Sequence, residues 1–302
     1  MINAIRWDVD PKLIDGWDTP NLYGLLFVSG LIIGYFVIRR MFRKEGVPDE
    51  KLDTLVLYVV LATIIGARLG HVIFYGPWWD GVDEIGRPVE GYFSHPYNII
   101  KIWEGGLASH GGIIAILIAL WIYSKRVSKK SYLWIMDRIS APVAIACVFI
   151  RLGNLVNSEI VGKQTSLPWG FKFKRHDDSL INMDVFQKDI GWDNVMVRHP
   201  SQLYEALAYF TVFVFLLYLY AKRDALKKPG TLFGWGLTLL FTARFLVEFT
   251  KEPQVTERGE WFLNTGQLLS IPFMIFGVYL LWRIRKKQTK TPDSTIEEQK
   301  EV

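Results

Sequence analysis

Residues 139–159 read ISAPVAIACVFIRLGNLVNSE. The mostly apolar stretch 139–150 runs directly into 151–159, which carries a cation, two amides and an anion. Charged side chains at the edge of a bilayer core are costly to place, so their presence asks for a reason. The arginine and the two asparagines predict a pocket for an anionic head group.

The composition of the chain predicts an all-α polytopic membrane protein. Half of its 302 residues are apolar, and 15% are aromatic, which is unusual for a soluble domain. The net charge is only +5, and the basic residues cluster between apolar spans. Membrane topology explains those clusters, so nucleic acid is not an expected partner. The single cysteine, Cys147, cannot form an internal disulfide, and its apolar surroundings predict a buried, inert thiol.

About seven transmembrane helices are expected, because about 20 apolar residues cross a hydrocarbon core. The predicted spans are Leu22–Ile38, Leu55–Tyr75, Leu107–Ser124, Ile139–Ile150, Leu203–Tyr220, Thr231–Phe249 and Gln267–Trp282. The fourth is short, and it spans only if Asp137, Arg138 and Arg151 lie near its ends. Arg244 and Glu248 interrupt the sixth.

The connections between the spans alternate in charge. Basic clusters follow the first, third, fifth and last spans, at 39–44, 125–130, 222–228 and 283–290. The positive-inside rule puts these on the cytoplasmic side. The amino terminus is then outside, the carboxyl terminus is cytoplasmic, and the outer loops are 76–106, 153–202 and 250–266. We expect one integral membrane domain over 1–285 and a disordered cytoplasmic tail over 286–302.

In this topology the unusual polar residues collect on the outer side. They are Tyr23, Arg68, His110, Arg151, Asn154, Asn157, Glu159, Arg244 and Glu248. Arginine binds phosphate through paired hydrogen bonds, and asparagine can hold glycerol hydroxyls. Histidine is the natural general base near neutral pH. The set therefore predicts recognition of a phosphate or phosphodiester at the outer leaflet, and no metal-ligand spacing is present.

Each of these features also has a purely structural explanation. Arg244 and Glu248 are four residues apart and could form only an intramembrane ion pair. Arg151 could extend to the interface, and Tyr23 could be an interfacial aromatic. His110 could be structural, and Gly111-Gly112 could serve close helix packing.

Four motifs resemble those of the prolipoprotein diacylglyceryl transferase family, and the resemblance runs from about Tyr23 to Ile284. The motifs are Arg151–Gly162 (RLGNLVNSEIVG), Gly105–Gly112 (GGLASHGG), Arg198–Glu205 (RHPSQLYE) and Arg244–Phe249 (RFLVEF). Three positions depart from the family pattern. Ile150 replaces a glycine, Leu155 replaces a phenylalanine, and Thr250-Lys251 stands where an arginine is common, so no role is assigned to Lys251.

The resemblance implies an enzyme of the bacterial plasma (inner) membrane with its active site facing the outer leaflet. It would transfer the diacylglyceryl group of phosphatidylglycerol to the lipobox cysteine of a prolipoprotein signal peptide. Glycerol phosphate would be released, and neither cofactor nor metal would be needed. The catalytic residues would be His110, Arg151 and Arg244. His110 would be the base or the residue that positions the donor, and the two arginines would stabilise the leaving phosphate. The substrate-binding residues would be Tyr23, Asn154, Asn157, Glu159, Gly162 and Glu248. Asn154, Asn157 and Glu159 would orient the glycerol head group and hold Arg151, Glu248 would hold Arg244, and Tyr23 would contact the donor or the entering peptide.

Two other functions fit the same outer cations. A transporter or flippase could use them to bind an anionic substrate, but the chain lacks an internal repeat and its polar groups lie on one side. A membrane hydrolase would release free diacylglycerol without a peptide acceptor. An assay for transfer to a lipobox peptide separates the three.

Overall fold

Seven long apolar helices dominate the fold. The computed structural model describes residues 4–17, 19–83, 86–182, 191–222, 228–252 and 263–289. Within those ranges, seven helices are long and apolar enough to cross a membrane, which confirms the predicted class. They are α1 (Leu22–Lys44), α2 (Asp49–Phe74), α3 (Ser109–Tyr123), α4 (Tyr132–Val156), α7 (Ser201–Ala221), α8 (Thr231–Val247) and α9 (Thr265–Thr289). The third span continues from α3 through a π-helical turn to Ser128, and the sixth continues from α8 through a 3-10 turn to Thr250.

Short elements fill the connections. Two helices, α5 (Lys174–Asn182) and α6 (Gly191–Asn194), lie between α4 and α7. The strands are β1 (Ile5–Trp7), β2 (Gly81–Val82), β3 (Pro88–Val89), β4 (Phe171–Phe173) and β5 (Val197–Arg198). In one sheet, β4 pairs parallel with β1 and antiparallel with β5, and in the other β2 pairs antiparallel with β3.

The chain forms two compact units, one over 1–38 and 137–302 and the other over 39–136. Small residues let helices approach closely in both. In the second unit, Gly111 of α3 lies against Gly66 and Gly70 of α2, and a Cβ on Gly111 would sit 2.6 Å from the Gly70 Cα. In the first unit, a Cβ on Gly277 of α9 would sit 2.9 Å from the Gly234 carbonyl of α8. Because lipid provides no hydrophobic driving force between helices, close contacts of this kind stabilise their association.

The fourth span is longer than predicted. Helix α4 covers 25 residues, so Asp137, Arg138 and Arg151 lie inside it rather than at its ends. Residues 153–156, the first four of the predicted outer loop 153–202, also belong to this helix. The helix continues through these charges because each one has a partner. Asp137, for instance, lies 3.8 Å from the Arg138 guanidinium.

Two other boundaries also differ from the prediction. Helix α1 includes the basic cluster 39–44, and Arg39 and Arg43 both pair with Asp49 at the start of α2. Helix α9 continues to Thr289, so the tail predicted over 286–302 is helical at its first four residues. The remainder, 290–302, lies outside the described residues. The single domain over 1–285 and the orientation of the termini stay predictions.

Asp137 has a clear structural function. Its carboxylate is fully buried and accepts hydrogen bonds from the Gly230 N–H (2.7 Å) and the Phe233 N–H (2.9 Å) at the start of α8. The first N–H groups of a helix have no partner within the helix, and a carboxylate there also faces the positive end of the helix dipole.

We expect Asp137→Ala to destabilise the protein by about 1–3 kcal/mol for each amide left without a partner. The measurement is the midpoint of thermal unfolding in detergent. Thr54→Ala is the matched control, because it removes an exposed hydrogen bond within α2. If Asp137→Ala and Thr54→Ala unfolded at the same temperature, the hydrogen bonds of Asp137 would contribute nothing to stability.

Candidate active site

Arg151 lies near the carboxyl end of α4 and is held by two partners. Its Nε is 2.8 Å from Oε2 of Glu205 on α7, whose side chain is 0% exposed. Its Nη1 donates to Oδ1 of Asn154, one turn further along α4, at 3.1 Å. Arg151 is therefore fixed in place by a buried carboxylate, and it does not simply extend towards an interface.

Asn154, Asn157 and Glu159 form a hydrogen-bonded chain after Arg151. Asn154 Nδ2 donates to one Glu159 carboxylate oxygen at 3.2 Å, and Asn157 Nδ2 donates to the other at 3.0 Å. The backbone turns sharply here, with positive φ at Ser158 and Ile160. Such strain in non-glycine residues persists only where the surroundings hold it. The Gln202 side chain donates to the Glu159 carbonyl at 2.6 Å and is one such restraint.

Tyr23 lies beside this turn. Its ring packs on Gly153, where a Cβ would stand 2.7 Å from the ring. The charged groups that act on its hydroxyl are Glu159 and Arg151. The structure therefore brings Tyr23, at the start of α1, next to Arg151 and Glu159, and its contact with a substrate stays a prediction.

Glu248 does not hold Arg244, so that prediction is wrong. Glu248 is buried, and its Oε2 lies 3.0 Å from the Nζ of Lys251. Its carboxyl group is also packed against Gly266, where a Cβ would be 2.5 Å away. The turn from α8 into the 3-10 segment Glu248–Thr250 points the carboxylate towards Lys251 instead.

Lys251 is one of two site residues that the sequence prediction did not include. It is only 3% exposed, and its Nζ lies 3.0 Å from both Glu205 Oε1 and Glu248 Oε2. Glu205 was also missing from the predicted set, although its motif was quoted. Arg151, Glu205, Lys251 and Glu248 thus form one network, called here the four-residue ion network, with two cations and two anions. Neither Lys251 nor Glu205 carries a local sequence signal for this role, because their pairing emerges only when the fold is known.

Arg244 stands apart from this network. Its side chain is half-buried on α8, and among the residues that the structure describes it makes no hydrogen bond or ion pair. Arg151 and Arg244 both act electrostatically on the Tyr209 phenol and the Cys147 thiol, so the two cations share a neighbourhood. Cys147 is half-buried, in a cluster with Tyr209 and Ile145.

Gly162 joins three backbone segments. Its N–H donates to the His199 carbonyl at 3.0 Å, and it pairs with Lys251 in an antiparallel bridge. A Cβ here would stand 2.5 Å from both the His199 Cβ and the Ser201 Oγ. These contacts give Gly162 a packing function, and the predicted contact with a substrate stays a prediction.

His110 lies in the other unit of the chain, near the start of α3. Its ring contacts Tyr75 and Phe74, with centroid distances of 5.4 and 5.5 Å. It makes no hydrogen bond within the described part of the chain. The neighbouring Gly111 serves close packing against α2, as one of the two explanations predicted. The role of His110 as a base stays a prediction.

Arg68 is fully used by the protein, so it is not a free outer cation as expected. Its guanidinium donates to the carbonyls of Asn98 (2.5 Å), Ile99 (2.9 Å), Gly105 (2.7 Å) and Gly106 (3.1 Å). It therefore holds the connection between α2 and α3 in its fold. In the ranges covered by the structure, no group of three or more His, Cys, Asp or Glu residues could hold a metal ion.

The chain is similar to known proteins along nearly its whole length. A protein from Porphyromonas gingivalis is 44% identical over 93% of this chain and 95% of its own, and one from Tolumonas auensis is 40% identical over 94% and 99%. A third, from Chloroherpeton thalassium, is 39% identical over 94% and 95%. All three are named phosphatidylglycerol–prolipoprotein diacylglyceryl transferase.

The sequence model of one enzyme family, described as prolipoprotein diacylglyceryl transferase, matches residues 18–283. That range contains the whole four-residue ion network, together with Tyr23, His110 and Arg244. The match and the relatives agree with the four motifs and with the seven membrane-spanning helices. The chain belongs to the prolipoprotein diacylglyceryl transferase family.

Proposed function

We propose that this protein transfers the diacylglyceryl group of phosphatidylglycerol to the thiol of a prolipoprotein lipobox cysteine, the first step in lipoprotein maturation. One observation carries the proposal for the site. Arg244 has no protein partner in the described residues, and it shares a neighbourhood with Arg151, whose own network is already neutral. A half-buried cation without a counterion favours an anionic ligand, and the phosphodiester of the donor lipid supplies one.

The reaction is a substitution at carbon. The cysteine sulfur forms a bond to the glycerol carbon of the diacylglyceryl group, and the bond from that carbon to the phosphate oxygen breaks. The electron pair leaves with the oxygen, giving glycerol phosphate and a thioether. Arg151 and Arg244 stabilise the negative charge that develops on the leaving phosphate. Because the donor is a phosphodiester with a good leaving group, the step needs no cofactor.

The remaining site residues position and activate the substrates. A thiol reacts as its thiolate, and His110 accepts the thiol proton. Asn154, Asn157 and Glu159 orient the glycerol head group, because their amide and carboxylate groups match its hydroxyls. Tyr23 contacts the donor beside them. The enzyme lies in the bacterial inner membrane, with its amino terminus and active site on the outer side. The family supports the first part of this proposal, and the basic connections between the spans support the second.

The direct test supplies purified protein with phosphatidylglycerol and a lipobox peptide. We expect the peptide to gain the mass of one diacylglyceryl group while glycerol phosphate appears in equal amount. A peptide with serine in place of the cysteine should stay unmodified. Free diacylglycerol without peptide modification would indicate a hydrolase instead, and lipid movement without either product would indicate a flippase.

Arg244→Ala should lower kcat by roughly 10²–10³-fold, the usual loss when one donor to a developing oxyanion is removed. Because Arg244 has no partner among the described residues, the melting temperature should stay within a few degrees of the wild type. Arg40→Ala, at an exposed position of α1, is the matched control and should keep full activity. Normal turnover by Arg244→Ala would refute its role in binding the phosphate.

Lys251→Met should reduce both stability and turnover, because it leaves Glu205 and Glu248 buried without their shared cation. Breaking a buried pair costs about 3–5 kcal/mol. Lys251→Arg should restore both properties, and adding Glu248→Gln to Lys251→Met should recover part of the stability by removing one of the two charges. The measurements are thermal unfolding and kcat. A Lys251→Met enzyme as stable and active as the wild type would remove Lys251 from the network.

His110→Gln should abolish the dependence of transfer on an ionising base. We expect a large loss of kcat, and a residual rate that rises with pH because the thiolate then forms without help from the ring. The rates are measured with saturating peptide and lipid. An unchanged profile with normal turnover would show that His110 is not the base.

A further inference from the structure

The unit over 39–136 contains a cavity of about 430 Å³ next to the carboxyl end of α2. Its walls come from α2 and from the connection to α3. The lining residues that matter here are Arg68, His71, Val89, Glu90, Tyr92 and Asn98. The volume lies within the range of small-ligand sites, and none of the predicted catalytic residues lines it.

Two polar groups at this cavity lack hydrogen-bond partners. Asn98 is 8% exposed and donates through Nδ2 to Glu90 at 2.8 Å, but its buried Oδ1 accepts nothing. A buried carbonyl oxygen without a donor is rare in proteins and calls for an explanation. The side chain of His71 makes only ring contacts, with Tyr75 and Tyr92. An imidazole in that state has one nitrogen that can donate and one that can accept.

The cavity does not suit a second phosphate. Arg68 already donates to four backbone carbonyls, so its charge is largely satisfied. Hydrogen bonds from Asn98 and then Tyr97 lower the pKa of Glu90, so this carboxylate stays ionised near neutral pH. An anionic ligand would meet that negative charge, and Lys101, the second cation of the lining, already acts on Glu90 and lies over the Tyr97 ring at 4.8 Å.

A row of aromatic rings runs from the cavity towards His110. Tyr92 contacts His71 at 6.2 Å, His71 stacks on Tyr75 at 6.1 Å, and Tyr75 contacts His110 at 5.4 Å between centroids. The walls also include Pro77, Pro88 and Val89. The cavity thus combines an apolar wall with charged groups, one unpaired acceptor and one possible donor, close to the proposed base.

We propose that this cavity binds a short extended segment of the acceptor peptide adjoining its reactive cysteine. The inference rests on the proposed function. A peptide backbone offers an N–H and a C=O on each residue, which match the Asn98 Oδ1 and the His71 ring N–H. Small side chains beside them pack on the proline, valine and tyrosine walls. Binding here would bring the neighbouring thiol towards His110.

The sharpest variant is His71→Phe, which keeps an aromatic ring for Tyr75 and Tyr92 but removes both nitrogens. We expect the KM for a lipobox peptide to rise about 3–10-fold, the effect of one lost hydrogen bond. The KM for phosphatidylglycerol and the kcat should stay within about twofold, because His71 is proposed to bind the acceptor peptide and not the donor. A twofold change corresponds to less free energy than one hydrogen bond. Asn98→Ser, which shortens the amide, should raise the peptide KM in the same direction.

His95→Phe is the matched control, because His95 lies in the same connection, pairs with Asp80 and does not line the cavity. It should leave both KM values unchanged. An unchanged peptide KM in His71→Phe would overturn the proposal while transfer by the wild type still stands. A rise in the KM for phosphatidylglycerol alone would assign the cavity to the donor head group and would also overturn it.

A second measurement separates this inference from the proposed function. Fluorescence anisotropy of a labelled lipobox peptide, without donor lipid, reports binding to the full-length protein directly. Tight binding to the wild type and weaker binding to His71→Phe would support the cavity even if no transfer were detected. Equal binding to both proteins would overturn the cavity site even if transfer were robust.

Discussion

The fully buried carboxylate of Glu205 is the interaction on which the site depends. It lies on α7, yet it pairs with Arg151 of α4 at 2.8 Å and with Lys251, which follows α8, at 3.0 Å. It also accepts a hydrogen bond from Tyr209 at 3.1 Å. A carboxylate withdrawn from water is tolerated only when its partners are close and well placed. One anion therefore fixes three segments of the chain at the site.

The backbone around this ion network reinforces the same arrangement. Residues 161–163, at the end of the Arg151–Gly162 motif and just after it, form backbone hydrogen bonds with 250–252. They also bond to His199, just before α7. Gly162 lies where these segments meet and has no room for a side chain. The positions of Arg151 and Lys251 are thus set by main-chain pairing as well as by charge, which limits how far either cation could move when an anion binds.

Three arginines near helix ends differ in what they leave available. Arg68 donates hydrogen bonds to four backbone carbonyls and so fixes the connection between α2 and α3. Arg151 is shared between Glu205 and Asn154, whereas Arg244 has no partner in the described part of the chain. Arginine keeps its charge at any working pH, so residue type alone does not distinguish these roles. The surrounding acceptors decide which guanidinium can bind a ligand.

The sequence by itself determined the seven membrane-spanning helices, the family and the grouping of Arg151, Asn154, Asn157 and Glu159, because hydropathy and local spacing encode them. It did not determine the length of α4. The sequence alone places the charged residues of α4 near the ends of the span, because their partners on α7 and at the start of α8 are not evident without the fold. Only the tertiary structure assigned Glu248 to Lys251 instead of Arg244, and only it gave Glu205 its central place. The pairings of Glu205 join residues that are distant in sequence, whereas Glu248 has a cation near it along the chain on either side, at Arg244 and Lys251. In both cases the cost of burying the charge is decided by neighbours that folding alone brings together.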